Sequence, residues 1–228
     1  MIFDQISAYA PAVVEIIGIN ILLSGDNAVV IALACRGLPE GQRQLGIALG
    51  AGTAVLLRVI FTVVIASLIA MPWLRAAGSL LLIWIAINLL VPEDDEHTSI
   101  AGHNSLWYAV RTVALADVVM SFDNVLAIAA AAKGDLALII LGLVVSVPLV
   151  VLGATMILKL IDKFPVLVWA GAALLGWISG DLFASDVAID RYLTGRIEDY
   201  YIAAVGALSV VCIAYFWRRS KGIVGFSV

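Results

Sequence analysis

Seven mostly apolar stretches, each 19 to 27 residues long, occupy most of the chain: 9–35, 45–70, 72–91, 106–132, 136–161, 164–183 and 199–217. An α-helix needs about 20 such residues to cross the hydrocarbon core of a bilayer. In lipid every backbone N–H and C=O must be satisfied inside the protein, so spans of this length predict helices, not an open sheet. Turn and charge signals separate them, as at Arg36-Gly37-Leu38-Pro39, Met71-Pro72, Lys133-Gly134-Asp135 and Asp162-Lys163-Phe164-Pro165. The expected fold is all-α: one polytopic membrane domain with seven transmembrane helices.

Composition excludes the main alternatives. Hydrophobic residues make up 63% of the 228 and charged residues 13%, against about 45–50% and about 25% in soluble domains. A net charge of −4 argues against a nucleic-acid binder. The apolar excess argues against a water-soluble enzyme or a disordered chain. Cys35 and Cys212 both lie in apolar stretches, which is neither a disulfide framework nor a zinc-finger spacing. The first basic residue is Arg36, so the first stretch lacks the basic start of a cleaved signal and is expected to be a permanent helix. Residues 92–105, with Glu93-Asp94-Asp95-Glu96-His97, form the expected linker.

Lysine and arginine set the orientation. With the N-terminus outside, the cytoplasmic side holds eight of them, including Arg218, Arg219 and Lys221, and the outer side holds four. This bias predicts an N-terminus outside and a C-terminus in the cytoplasm.

The chain also repeats itself. At an offset of 97, Asn20 falls on Asp117, Ser24 on Ser121, Asp26 on Asp123, Asn27 on Asn124 and Arg36-Gly37 on Lys133-Gly134. At an offset of 93, Pro72 falls on Pro165, Gly78 on Gly171, Trp84 on Trp177 and Asn88 on Asp181. Residues 9–91 and 106–183 thus read as two three-helix repeats, with 199–217 as an additional seventh helix. Three is odd, so the second repeat crosses with opposite polarity. Inverted repeats are a transporter signature, with the binding site near the midplane at the repeat interface.

Asp26, Asp117 and Asp123 lie within spans, as does Arg58, while Asp181 lies near a span end. A charge at the bilayer centre costs about 2.5–3.5 kcal/mol on insertion scales, so such residues are expected to face the interior, find partners and mark a functional site. The two Asp-Asn pairs fall on either side of the midplane, roughly 12 Å apart along the normal at 1.5 Å per residue. Asn20, Ser24 and Asn27 share one helix face, and so do Asp117, Ser121 and Asn124. Local unwinding at Ser24-Gly25-Asp26 would bring Asp26 onto that face. The donors are carboxylate and amide oxygens, with no His in any span, which suits Mn²⁺, Mg²⁺ or Ca²⁺ and not Zn²⁺ or Cu⁺. Three aspartates and Arg58 leave two negative charges, which one divalent cation neutralises, and Arg58 is a candidate resident counter-ion or gate. Met120, Asn20, Asn88 and Asp181 are further candidates for the site or its path. Met120 and Ser24 have packing or interhelical hydrogen bonding as the plainer alternative. Asp186, Asp190, Glu198 and Asp199 are expected in a solvated outer loop. Trp73, Trp107 and Trp217 read as interfacial anchors, whereas Trp84 and Trp177 are expected to pack inside.

Leu23-Ser-Gly-Asp-Asn-Ala-Val-Val-Ile-Ala-Leu-Ala34 and Val119-Met-Ser-Phe-Asp-Asn-Val-Leu-Ala-Ile-Ala129 resemble the paired Asp-Asn motifs of the TerC family of membrane proteins, and within it the YjbE-type bacterial subgroup. The likeness covers nearly the whole chain, including Gly176-Trp-Ile-Ser-Gly180. It implies a seven-helix bacterial inner-membrane protein of the LysE transporter superfamily, with manganese efflux, metal supply to exported enzymes or tellurium resistance as associated roles. The family's acidic motif maps onto Asp26, Asn27, Asp123 and Asn124. Asp117 and Asp181 pair with Asn20 and Asn88 in the other repeat, so the halves need not share the site equally.

The leading expectation is a secondary exporter of Mn²⁺, with the cation as cargo and no permanent cofactor. It binds Asp26, Asp123 and Asp117 and is released as the two repeats rock. No G-x-x-x-x-G-K-[ST] segment is present, so proton exchange through the same aspartates is the expected drive. An accessory protein supplying metal to exported metalloenzymes, or an exporter of another small solute, are the alternatives. An intramembrane aspartyl protease is disfavoured, because Leu23 stands where its Gly-x-Gly-Asp motif needs glycine. The expected partners are the divalent cation, the bilayer, and a second copy of the chain or an exported metalloenzyme, with no nucleic acid.

Overall fold

A computed structural model describes residue 18 and residues 25–68, 71–91, 105–131, 136–193 and 198–221. Among the described residues there are eight helices and no strand. They are α1 (Gly25–Cys35), α2 (Glu40–Leu68), α3 (Leu74–Leu90), α4 (Leu106–Ala131), α5 (Leu136–Lys163), α6 (Val166–Ala184), α7 (Val187–Leu193) and α8 (Asp199–Ser220). Segments Glu40–Phe61, Ile139–Lys163, Val166–Ala184 and Asp199–Ser220, of 19 to 25 residues, are long and apolar enough to cross a membrane. The helices coincide with the expected spans to within a few residues at most ends. The first half of the first span and most of the linker lie outside the described residues.

Two boundaries differ for a physical reason. Helix α2 starts at Glu40, five residues before the apolar stretch, because Pro39 ends the turn and its carbonyl accepts N–H bonds from Gln42 and Arg43. This polar first turn protrudes beyond the apolar segment, where hydropathy gives no signal. The expected outer loop holds a short helix, α7, instead of an irregular stretch.

Outward faces are apolar, as lipid contact demands. Leu45, Leu49, Leu56 and Ile60 on α2 are exposed, as are Leu141, Val145, Leu149, Leu152 and Met156 on α5. Trp84 and Trp177 also point outward, 54% and 42% exposed, which corrects their expected inward packing. An indole ring loses nothing by facing hydrocarbon, so a tryptophan inside a span need not seek the core. Trp73, Trp107 and Trp217 are exposed at helix ends, as anchors should be.

Packing divides the helices into two groups. Helices α1, α2, α4 and α5 form a four-helix bundle, and α3, α6 and α8 form a three-helix layer. Each group draws on both of the expected repeats, residues 9–91 and 106–183. Of the pairs joining the repeats, α1–α5 corresponds to α2–α4 under exchange, and α1–α6 corresponds to α3–α4. The pairs α1–α4, α2–α5 and α3–α6 map onto themselves. The repeat-related glycines Gly78 and Gly171 lie at corresponding seams: a Cβ on Gly78 would sit 3.0 Å from Val119, and one on Gly171 would sit 2.9 Å from Leu33. Helix α1 is the most enclosed element, with Val30 to Cys35 all buried.

Helix α3 is fastened at both ends by side chains from elsewhere. Its N-cap is Trp73, in the left-handed region at φ 69°, with no side-chain oxygen to offer. Asp186, fully buried at the α6–α7 junction, supplies the cap: Oδ1 accepts from the N–H of Trp73 (3.0 Å) and Oδ2 from that of Ala76 (3.1 Å). Oδ1 also accepts from Ala188 N–H (2.8 Å). At the other end Arg36 donates to Leu89 O (2.9 Å) and Arg218 to Leu90 O (3.2 Å). Ser179 Oγ, on α6, donates to Ser79 O of α3 at 2.5 Å. Asp186 is thus a structural cap, not a residue of a solvated loop.

Burial by itself would raise the Asp186 carboxyl, but backbone N–H donors from Ala188, Ala76, Trp73 and Arg75 outweigh it and hold its pKa below the ordinary value. A depressed carboxylate stabilises the fold above its unfolded pKa, about 3.9, and that contribution is lost as pH falls through the lower folded value. Asp186→Ala strands several buried donors and is expected to cost roughly 2–3 kcal/mol. Thermal melting of the purified protein between pH 3 and pH 7 checks this. The variant should melt lower at pH 7, and the difference from the native protein should shrink towards pH 3. A constant difference would mean that the carboxylate charge is not what caps α3.

Candidate functional site

Two of the charges within the spans, Arg58 and Asp117, meet inside the four-helix bundle. Arg58 comes from the middle of α2 and is 3% exposed; Asp117, from α4, is also 3% exposed. One guanidinium nitrogen of Arg58 donates to Asp117 Oδ1 at 2.5 Å. Ser121, one turn on along α4, donates to Asp117 Oδ2 at 3.0 Å and accepts from Arg58 Nε at 3.3 Å. Both Asp117 oxygens are therefore held, one by charge and one by a hydroxyl. Of the expected shared face of Asp117, Ser121 and Asn124, Ser121 bonds to the pair, and Asn124 is buried farther along α4.

Helix α1 carries the other half. Asn27 is buried and Asp26 half-buried in the first described turn of α1. Asp26 Oδ1 accepts the backbone N–H of Asn27 at 2.7 Å. Asp26 also lies within electrostatic reach of both Arg58 and Asp117. Helix α1 packs on α4 and α2, so the two motif helices and the helix bearing Arg58 are mutual neighbours. The bilayer offers these groups no water, so they must find their polar partners within one interior.

Other expected residues fall elsewhere. Asn88 is half-buried on α3 and Asp181 exposed on α6, in the three-helix layer rather than the bundle that holds the ion pair. Met120 is buried in the apolar core with Val119 and Ala116. Asn20, Ser24 and the side chain of Asp123 lie outside the described residues, although the Asp123 backbone is part of α4. Among the described residues no three His, Cys, Asp or Glu side chains converge on one point.

Sequence reasoning missed the fastening of α3. One signal was present: Pro72-Trp73 starts a helix without any Ser, Thr, Asp or Asn at its cap, so the free N–H groups had to find an acceptor elsewhere in the chain.

Comparison with known proteins finds similar membrane proteins. The chain is 36% identical over 215 residues to the uncharacterized membrane protein YjbE of Bacillus subtilis (strain 168), covering 93% of this chain and 98% of that protein. It is 28% identical over 211 residues to YceF of the same organism, covering 89% of this chain and 80% of that protein. No solved structure matches it significantly. The family profile described as "Integral membrane protein TerC family" matches residues 7–222, and the chain therefore belongs to the TerC family of integral membrane proteins.

Proposed function

We propose that the chain is a secondary transporter that exports divalent metal cations, with Mn²⁺ as its cargo, across the bacterial inner membrane. The observation that carries this reading is the Arg58–Asp117 ion pair, buried in a membrane bundle with Asp26 within electrostatic reach. A purely structural pair has no need of a third carboxylate nearby. Asp26, Asp117 and Asp123 against Arg58 leave two negative charges, the complement of one divalent cation. With both its oxygens held, Asp117 is in the state expected when no cation is bound. Arg58 is then the resident counter-ion, and an arriving cation takes its place on the carboxylates. Asn27 and Asn124 add amide oxygens, a donor set that suits Mn²⁺.

The packing bears on how access alternates. The sequence repeats interlock through α1–α5, α2–α4 and α3–α6, so rocking one repeat against the other would break several of the interfaces that build the fold. The units free to move are the four-helix bundle and the α3–α6–α8 layer, whose shared seams α3–α4 and α1–α6 are lined by Gly78 and Gly171. The inverted repeat, supported by the exchange pattern of packing pairs, gives the two mouths their equivalence. The orientation we infer has the C-terminal Arg218, Arg219 and Lys221 in the cytoplasm.

The test is the metal content, by elemental mass spectrometry, of a manganese-sensitive host grown in excess Mn²⁺. The host carries empty vector, the intact protein, Asp26→Asn or Asp123→Asn at matched expression. Manganese should fall severalfold with the intact protein alone. Equal manganese in all four cultures would exclude Mn²⁺ export, and a fall in another metal would name the cargo instead.

A further inference from the structure

At the end of the molecule where α1, α5 and α8 finish, the chain forms a cleft of about 330 Å³. Arg36 and Gly37 of the α1–α2 turn line it, with Arg43 of α2, Asp162 of α5, and Pro165 and Val168 at the start of α6. The two arginines differ in their engagement. Arg43 is fully used: Nη1 pairs with Asp162 at 2.9 Å, Nε donates to Leu38 O at 3.0 Å, and Nη2 donates to Arg36 O at 3.1 Å. Among the described residues, Arg36 donates only from one terminal nitrogen, to Leu89 O at 2.9 Å. Among the described residues no carboxylate pairs with it.

Arg36 is half-buried, and another cation, Arg218, acts on its charge. Burial first, and then the Arg218 charge, pull its pKa below the ordinary arginine value, to about 10. It still carries its charge at neutral pH. A half-buried guanidinium with a like-charged neighbour, and with donors that no described residue takes, suits an anion. The start of α6, whose N-cap Pro165 offers no capping side chain, adds the positive end of a helix dipole to the same cleft. The apolar wall from Val168 and the outward side chains Phe164 and Val166 place the cleft where acyl chains would end.

We propose that this cleft binds a phosphoryl group, presented as the headgroup of an anionic phospholipid, with Arg36 as the residue that recognises it. Basic pockets between membrane helices are suited to anionic headgroups. The fork of Arg36 matches two phosphate oxygens, and the acyl chains lie against the outward faces of α5 and α6. Bound there, the lipid bridges the α1–α2 turn of the four-helix bundle to α6 of the other layer. It would therefore hold together the two units between which movement is proposed.

The experiment uses the full chain, purified and delipidated in detergent, with native mass spectrometry of retained lipid. Phosphatidylglycerol and phosphatidylcholine are offered at equal concentration, and glycerol phosphate and inorganic phosphate are then added as competitors. Phosphatidylglycerol should be retained severalfold better than phosphatidylcholine. Arg36→Gln should cut that retention about fivefold, the worth of one interfacial charge, while Arg219→Gln, an exposed neighbour, should leave it unchanged. Arg36→Lys keeps the charge but not the fork, and carries the test if the glutamine variant fails to fold; about twofold weaker retention is expected. Displacement by the soluble phosphates would identify a free phosphate as the ligand, and resistance to them would identify the lipid. Equal retention of the two lipids, or unchanged retention in both Arg36 variants, overturns the proposal.

Discussion

Asp117→Asn is expected to cost about 3–5 kcal/mol of stability, the range for breaking a buried ion pair by removing one partner, and to abolish the cation export proposed for this chain. The substitution takes away the carboxylate that Arg58 holds at 2.5 Å and replaces the charged acceptor of Ser121 with an amide. A loss of both fold and function would not by itself separate the two roles. The double variant Arg58→Met, Asp117→Leu does. It removes both charges from the bundle interior and substitutes apolar groups, a change that is often neutral or stabilising for a buried pair. Its melting temperature should recover to within a few degrees of the native protein, while metal export stays lost. Fluorescence-detected size exclusion after heating gives the first readout and cellular manganese the second. A double variant that melts normally and still exports would reduce the pair to a structural role. Asp117→Asn melting with the native protein would show that Arg58 is stabilised by other groups.

Much of this arrangement was legible in the sequence, for one reason. A charge in hydrocarbon must be partnered, so sequence alone predicts that Arg58 and the three aspartates within spans turn inward; Arg58 and Asp117 do so as a pair, and the Asp123 side chain lies outside the described residues. Helical spacing then placed Ser121 one turn from Asp117, where it donates its hydroxyl. Hydropathy located the spans but stopped where lipid stops, which is why the polar turn from Glu40 at the head of α2 escaped it. Pairings between elements distant in sequence were not legible. Asp186 looks like one acid among several in a loop, yet it is fully buried and caps a helix more than 100 residues away. Nothing local to Asp186 encodes that partner; the uncapped start of α3 does. The division into a bundle and a layer was hidden for the same reason. Repeats are a property of sequence order, whereas packing is decided by which faces can be brought close, and here those faces belong to helices from both repeats.

Gly180→Ala should lower stability by about 1–3 kcal/mol, the range for overpacking, and Gly180→Val should leave little folded protein. Helices α6 and α8 approach at Gly176 and Gly180, a small-xxx-small spacing that lets membrane helices make backbone contact. A Cβ on Gly180 would lie 2.6 Å from Ala203 Cα, and one on Gly176 would lie 2.6 Å from Gly206 O. The obstructing atoms are backbone, so no side-chain rotation can make room, and α8 would have to move away from α6 along its length. The sign of the effect depends on the neighbour and not on the substitution. Gly52 also lies inside a helix, α2, with nothing within 4 Å of the added carbon. Gly52→Ala should therefore be neutral or stabilising by up to about 1 kcal/mol, the gain in helix propensity. Melting of the three variants side by side distinguishes the contact from the propensity. If Gly180→Ala melted with the native protein, the α6–α8 contact would not be as close as the backbone distances require, and the layer proposed to move against the four-helix bundle would lose its claim to rigidity.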